Sequence, residues 1–374
     1  MRTTKFYSFS ISPKALKVKN NTVSKVKYYP KRRLLMTDKR NSKIFSSNIR
    51  IAETSCFGGS LEGEGPLGNY FDGIVLPEPK DGETWEKHES DMIQSTVKNL
   101  LEKSHTPEKE VGLLLGGDLM NQCTSSAYGL EKFDIPYIGL YGACSTFAEG
   151  IMTGSMYLEA DACHTAIASA SSHFCTAERQ YRFPLSYGGF PQSSSQHTVT
   201  GCGAVLLEKT DGNEKGVFVK SALPGIVIDR GITNAANMGA AMATAAADTI
   251  MRHLQNTNTT LSDYDMVATG DLGKIGLEMA KDMLESRGFY DRGNIFTDCG
   301  LLIYDLENQD VFCGGSGCGC SAVTFCGYIY DRMSKKELKR VLLVGTGAMM
   351  SPQSLLQGLS IPAVAHLVEF EVRT

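Results

Sequence analysis

The stretch Gly142-Ala-Cys144-Ser-Thr-Phe147, a turn of small residues that opens an apolar helical segment, decides the fold. A turn of the same character, Gly314-Gly-Ser-Gly-Cys-Gly-Cys-Ser321, stands in the second half of the chain. Ahead of each turn an apolar strand ends in Gly-Asp, once at Asp118 and once at Asp271. Because self-similarity of this length indicates two copies of one structural unit, the chain is predicted to consist of two related halves.

The repeat continues after each turn. A strand ending in small polar residues follows at 166–173 and at 341–347, and each copy closes on a further strand, at 203–208 and 363–370. Short apolar runs that alternate with helical segments predict an α/β protein with mixed sheets covered by helices on both faces. Two copies predict two such sheets packed around shared central helices.

Two segments outside the repeated strands complete this picture. Residues 85–103 have the composition of a helix that covers one sheet face. The excursion over residues 174–200 is rich in aromatic residues and serine. An ordered excursion of that length favours a site wall or a subunit interface.

The charge distribution separates the N-terminus from the rest. The 374 residues have a formal net charge of −4, but residues 1–50 contain 14 Lys/Arg and one acidic residue. Such an arm either docks on an anionic surface or is a solvated tail, or an over-extended reading frame. We therefore divide the chain into a basic extension over 1–40, an N-terminal half over 41–220 and a C-terminal half over 221–374. We expect no nucleic-acid partner.

The cysteines and the hydropathy of the chain exclude further classes of protein. The eleven cysteines are scattered in small-residue, apolar surroundings, which favours buried reduced thiols over a disulfide framework. Cys313, Cys318 and Cys320 cluster, but no second CxxC or histidine pair stands beside them, so we expect no zinc site. No apolar run is long enough to span a membrane, and no signal peptide is evident.

Cys144 is the first candidate for the site. A strand–turn–helix places its side chain, together with the free N–H groups of the helix, above the turn, where they lower a thiol pKa and attract anions. A lone cysteine is more often a core residue, but this context favours a site.

An acyl-transfer cysteine also needs a base. Of the seven histidines, only His173, at a strand end, and His197, in the excursion, are candidates, and no motif supports either. His88, His105 and His253 lie in polar segments and are expected at the surface, while His164 and His366 border or occupy strands. For Asp118 and Asp271 two interpretations stay open: each caps the next turn through backbone N–H groups, or both lie near the pocket floor.

Several longer stretches are specific enough to indicate a family: 64–68, 117–122, 142–146, 176–184, 245–249, 298–304 and 314–318. On these residues the chain, from about Arg40 to Phe370, resembles the stage V sporulation protein AD family of spore-forming Firmicutes. These are thiolase-fold members of the apparatus that moves dipicolinic acid into spores. The resemblance implies a thiolase-like, duplicated five-layer α-β-α-β-α fold, and it leaves residues 1–35 outside the family pattern.

The resemblance also shows where this chain departs from catalytic relatives. Ketoacyl synthases carry Ala-His-Gly where this chain has Ala268-Thr269-Gly270, and thiolases carry Gly-His-Pro where it has Gly315-Ser316-Gly317. The second thiolase cysteine has no counterpart in residues 345–351. Without either imidazole, the usual acid/base pair is missing, and the fold alone implies no activity.

The main hypothesis is therefore a non-catalytic protein that binds dipicolinic acid, pyridine-2,6-dicarboxylate, or its calcium chelate. The turn amides at Cys144 and Ser145 would accept one carboxylate. Arginines of the excursion are candidate charge partners, or they make structural ion pairs. No cofactor is expected beyond calcium carried by the ligand. The predicted binding residues are Asp118, Asn121, Cys144, Ser145, Ser172, His173, Arg179, Arg182, Asp271, Ser316 and Thr346.

Two rival functions remain. One is a condensing or acyl-transfer enzyme that uses Cys144 as nucleophile, with a base such as His173. The other is a dimeric scaffold without a ligand. By resemblance we expect a homodimer, the membrane proteins of the stage V sporulation A operon as partners, a role that extends to spore germination, and a peripheral place at the inner membrane of the forespore.

Overall fold

The computed structural model describes residues 41–76, 79, 82–181 and 191–374. Arg182, a predicted charge partner, and the basic extension over 1–40 lie outside these residues. The strands are β1 (Lys43–Gly58), β2 (Gly73–Ile74), β3 (Leu113–Gly117), β4 (Tyr137–Gly139), β5 (Thr165–Ser172), β6 (His197–Thr198), β7 (Gly201–Thr210), β8 (Gly216–Leu223), β9 (Met266–Thr269), β10 (Phe296–Asp298), β11 (Gly315–Ser316), β12 (Arg340–Ala348) and β13 (Ala363–Arg373).

The helices are α1 (Ser60–Gly63), α2 (Trp85–Ser104), α3 (Thr124–Leu130), α4 (Thr146–Glu159), α5 (Phe174–Tyr181), α6 (Met238–Thr257), α7 (Gly273–Glu285), α8 (Cys299–Leu302), α9 (Cys318–Val323), α10 (Tyr330–Ser334) and α11 (Pro352–Leu356). A π-helix over Thr324–Ile329 joins α9 to α10. The predicted helix over 85–103 is α2, which begins at its N-cap Thr84 and ends where His105 adopts a left-handed conformation.

The strand order shows the duplication directly. The main sheet runs β10-β9-β12-β13-β8-β1-β7-β5-β3-β4, with β2 beside β1. It consists of two five-stranded blocks with one order and one pattern of directions. In the first block β4, β3 and β5 are parallel, and β7 and β1 follow antiparallel. In the second block β10, β9 and β12 are parallel, and β13 and β8 follow antiparallel.

The two predicted sheets are joined into one hydrogen-bonded path. β1 pairs antiparallel with β8, for example Ile49 with Val219, and continues along β7. A bulge between Ile51 and Glu53 bends this long strand as it runs along β7. The repeat is therefore present as predicted, with β1 and β8 as the seam between its copies.

Helices cover and separate the two blocks in five layers. Helices α2 and α3 lie outside the first block, α6 and α7 outside the second, and α4 and α9 between them. Successive side chains of a strand point to opposite faces. Leu114 packs with Val97 of α2, whereas Leu115 packs with Phe147 of the central helix α4. Phe370 of the second block joins the same central core.

The structure corrects one surface prediction. His253 is fully buried in α6, because the helix packs its alanine-rich face on β13 and leaves the imidazole inside. His88 is half-buried against His173, and only His105 of the three is exposed. Among the helices described, none is both long and apolar enough to cross a membrane.

Candidate functional site

The turn that carries Cys144 is tightly wound. Ala143 has φ +49°, a left-handed conformation that is uncommon outside glycine, and Ala143–Ser145 form one 3-10 turn before α4. The Ser145 N–H and hydroxyl both donate to the Gly142 carbonyl, at 3.1 and 2.7 Å. One of the two amides predicted to receive a ligand carboxylate is therefore used within the turn.

A close contact between the two copies holds this turn in place. A Cβ at Gly347, near the end of β12, would lie 2.4 Å from the Gly142 carbonyl oxygen. Real Cβ atoms do not approach so closely, so position 347 must be glycine for the turn to lie where it does. The second copy thus supports the turn of the first.

The Cys144 thiol is buried against the second copy. Its pKa is raised well above the usual value, first by burial and then by the neighbouring Asp271 carboxylate. The Gly317 N–H and the Ser316 hydroxyl act in the opposite direction. The thiol is therefore protonated at neutral pH, and the lowered pKa expected at a helix N-terminus is not present.

The Asp271 carboxylate accepts hydrogen bonds from side chains that were predicted to bind a ligand. Its carboxylate accepts from the Thr346 hydroxyl at 2.6 Å, the Gly317 N–H at 3.0 Å and the Ser316 hydroxyl at 3.3 Å. Burial raises the pKa of Asp271, and these donors, with Cys144, lower it. A protein carboxylate thus occupies the anion position at the floor of the site.

Asp118, at the equivalent position of the first copy, has a different role. It accepts from Met120 N–H at 2.8 Å and from Ser126 N–H at 2.7 Å, which caps the turn and α3. In the second copy the capping acid is Asp298, which accepts from Leu272 N–H at 2.8 Å and from Thr269 at 2.6 Å. The capping interpretation therefore describes Asp118, and the pocket-floor interpretation describes Asp271.

His173 lies away from these groups. Its Nδ1 accepts from Cys175 N–H at 3.2 Å and its Nε2 lies 3.1 Å from His88 Nδ1, with the Trp85 ring 5.4 Å away. Burial, and then His88, lower the pKa of His173 to about 4. Both ring nitrogens are thus engaged, so this imidazole is not placed as a base for Cys144.

The other predicted binding residues are also engaged. Ser172 donates to Val199 O at 2.7 Å and accepts from Gly319 N–H at 3.1 Å, behind the Ser316 turn. Arg179 pairs with Glu86 of α2 on the surface. Asn121 is exposed, and its N–H donates to Gln180 Oε1 at 3.1 Å.

Two tyrosines near the Cys144 turn, Tyr141 and Tyr181, were not predicted, and we call this pair the mouth of the site. The hydroxyls of Tyr141 and Tyr181 contact each other, and both donate to the Leu119 carbonyl, at 3.0 and 2.7 Å. Burial, then Tyr141, then Cys144 raise the pKa of Tyr181. The aromatic character of the excursion was the available signal, but Tyr141 stands in no motif of its own.

A sequence model of the stage V sporulation protein AD family matches residues 39–371. The chain belongs to this family. Stage V sporulation protein AD of Bacillus subtilis (strain 168) is 40% identical over 328 residues, which are 88% of this chain and 96% of that protein. The family resemblance drawn from the motifs is therefore confirmed.

Solved structures confirm the fold. A variant of OleA from Xanthomonas campestris matches with a TM-score of 0.53 and 14% identity, over 88% of this chain and all of that chain. Cerulenin-bound OleA matches with a TM-score of 0.56 and 14% identity, over 87% of this chain and 100% of that chain. OleA has the thiolase fold, and at this identity the match establishes the architecture alone.

In this chain the site is thus a buried thiol, a buried carboxylate and two phenols. The thiol faces Asp271. The described residues contain no cluster of three or more His, Cys, Asp or Glu side chains arranged to hold a metal ion. The groups present can donate hydrogen bonds and stack on a flat ring, and none is placed to activate the thiol.

Proposed function

We propose that this chain binds dipicolinic acid, as the free acid or the calcium chelate, over the Cys144 turn, and that it does so in the uptake of this compound into the developing spore. The proposal rests on the family and on one observation. Burial and then the neighbouring Asp271 carboxylate raise the pKa of the Cys144 thiol, so the thiol stays protonated.

The same observation argues against acyl transfer. A cysteine nucleophile reacts as the thiolate and is activated by a lowered pKa or a neighbouring base. Here burial and then a carboxylate raise the pKa of the thiol, and both nitrogens of His173 are engaged elsewhere. We therefore propose a binding protein on an enzyme scaffold, with Cys144 as part of the pocket floor.

The ligand fits best in the mouth rather than at the floor. Asp271 already takes the hydroxyls of Thr346 and Ser316, so a ligand carboxylate beside it would meet a buried carboxyl group. Above it, Tyr141 and Tyr181 offer aromatic faces and hydroxyl groups, which suit a planar ring that carries carboxylates. In the chelate, calcium would offset the negative charge of the floor.

The rest of the proposal follows the family. We propose a homodimer that works with the membrane proteins of the stage V sporulation A operon, peripherally at the inner membrane of the forespore. The same uptake system gives the protein a role in spores that later germinate.

Titration calorimetry of the purified chain tests the proposal. The titrants are dipicolinate, calcium dipicolinate and, as a matched control, isophthalate, which has the same shape but lacks the ring nitrogen. We expect saturable binding of one or both forms of dipicolinate, and weaker binding of isophthalate. No heat with either form would refute the proposal. In parallel, a thioester on Cys144 after incubation with acyl-CoA, found by mass spectrometry, would support the enzyme instead.

A further inference from the structure

A second group of chemically active side chains lies far from Cys144 in the chain, where β1 meets α6. Ser42 Oγ lies 3.0 Å from His253 Nδ1. The other ring nitrogen, Nε2, lies 3.5 Å from Glu369 Oε2. His253 and Glu369 are buried, whereas Ser42 is only half-buried. A hydroxyl, an imidazole and a carboxylate are thus aligned, with the hydroxyl nearest to solvent.

The carboxylate end of this alignment is firmly held. Glu369 accepts from Arg340 at 2.6 Å and from Ser221 at 2.7 Å. Burial raises the pKa of Glu369, but the hydrogen bonds from His253, Arg340 and Ser221 lower it to about 2. Glu369 is therefore an anion at neutral pH and can only accept hydrogen bonds.

The Glu369 carboxylate determines which ring nitrogen of His253 carries the proton. Because Glu369 only accepts, the proton of neutral His253 is placed on Nε2, where Tyr264 Oη also lies, at 3.3 Å. Nδ1 then carries a lone pair and accepts from the Ser42 hydroxyl. This is the ground state of a serine activated by a histidine that a carboxylate orients.

We propose that Ser42 is a nucleophile of a second site, with His253 as its base and Glu369 as a positioning residue, and that it reacts with acyl esters that have a good leaving group. In the first step Ser42 Oγ bonds to the carbonyl carbon and the ester C–O bond breaks. The serine proton passes to His253 Nδ1 and from there to the leaving oxygen. Water then attacks the acyl-serine by the reverse path, which releases the acid and regenerates the hydroxyl.

A serine-directed fluorophosphonate tests this directly. The Ser42 Oγ–P bond would form as the P–F bond breaks, fluoride leaves and His253 takes the proton. The full-length chain carries Cys144→Ala to exclude any labelling of that thiol, and the adduct is located by peptide mass spectrometry. We expect labelling at Ser42 that Ser42→Ala abolishes, and p-nitrophenyl acetate hydrolysis that His253→Gln reduces about 100-fold.

The chain offers a matched control close by, in β1. The hydroxyl of Ser46 donates to the Glu159 carboxylate at 2.7 Å and has no imidazole beside it in the described contacts. Ser46→Ala should therefore leave labelling unchanged. Melting curves show whether each variant is folded. A folded chain that gains no adduct at Ser42, or labels Ser42 and Ser46 equally, would overturn the proposal in favour of a purely structural tie between β1 and α6.

Discussion

The Cys144 thiol faces the Asp271 carboxylate across the contact between the two copies of the repeat, and burial followed by this carboxylate raises the thiol pKa. Cys144 belongs to the turn of the first copy, and Asp271 follows the β9 strand of the second. The thiol at the position that an enzyme would use for its nucleophile is therefore protonated, and it lies at the floor of the site. The four predictions that follow test this pairing and the structure around it.

Replacing Asp271 with asparagine should make Cys144 more reactive. The carboxylate is the second largest cause, after burial, of the raised thiol pKa, so its removal lowers that pKa. Each unit by which the thiol pKa falls increases the thiolate fraction about tenfold at a fixed pH below it. The rate of iodoacetamide alkylation at Cys144, measured by peptide mass spectrometry, reports this. Rapid alkylation of Cys144 in the unmodified folded chain would contradict the assignment.

Substituting Gly347 with alanine should displace the Cys144 turn. The added Cβ would meet the backbone oxygen of Gly142 at 2.4 Å, and overpacking of this kind costs about 1–3 kcal/mol. We expect a lower free energy of unfolding in urea and weaker dipicolinate binding.

The matched control for this change is Gly150→Ala in helix α4. There the added Cβ meets Ala168 Cβ at 3.3 Å, and alanine gains up to about 1 kcal/mol of helix propensity over glycine. Because this contact is tight, it offsets that gain, and the variant should lose less stability than Gly347→Ala. Equal losses in the two variants would show that the contact between Gly347 and Gly142 is not what positions the turn.

Filling the space beside Cys144 should abolish ligand binding, and because Ser316 is buried the added ring also lowers stability, which a melting curve reports. Ser316→Phe places a ring beside Cys144, whereas Ser95→Phe adds the same ring on the exposed face of α2. Calorimetry should show dipicolinate binding lost in the first variant and kept in the second. The account fails if Ser316→Phe, still folded by its melting curve, binds as the native chain does.

The buried Glu89 should make stability depend on pH. Its carboxyl group accepts from Ser125, Ser171 and Thr176, and burial followed by the charge of Asp118 raises its pKa to about 8. Between about pH 4.5 and 8 the unfolded chain has lost a proton that the native chain still holds. The free energy of unfolding therefore falls as the pH rises, by at most about 1.4 kcal/mol per pH unit.

Glu89→Gln removes that titration and should flatten this part of the pH profile of urea unfolding. Glu86→Gln, which breaks the surface pair with Arg179, is the control and should change stability by less than about 1 kcal/mol. If Glu89→Gln keeps the native slope between about pH 5 and 8, the buried carboxyl does not hold its proton in the native state.

The architecture could be predicted from the sequence because the chain contains a repeat. Strands with Gly-Asp ends, glycine-rich turns and alternating apolar runs are local signals, so the order of elements and the position of the Cys144 turn followed from them. The link between the two blocks could not be predicted from local signals, because the pairing of Ile49 with Val219 joins strands from the two halves. No local pattern encodes such a pairing.

The partners of the site residues were harder to predict. Asp118 and Asp271 stand in the same motif, yet one caps a helix and the other contacts Cys144, because only Asp271 faces the turn of the other copy. Likewise, the polar end of α6 suggested a surface position for His253, but packing against β13 buries it beside Glu369. Such contacts depend on how the halves pack, which sequence spacing does not determine.

A crystal structure of the chain with dipicolinate, at a concentration that saturates the calorimetric signal, tests the central claim most directly. We predict density for one planar dicarboxylate in the mouth, against Tyr141 and Tyr181 and above the Cys144 turn, with the thiol unmodified. Density for the ligand elsewhere, or a covalent adduct on Cys144, would contradict the account.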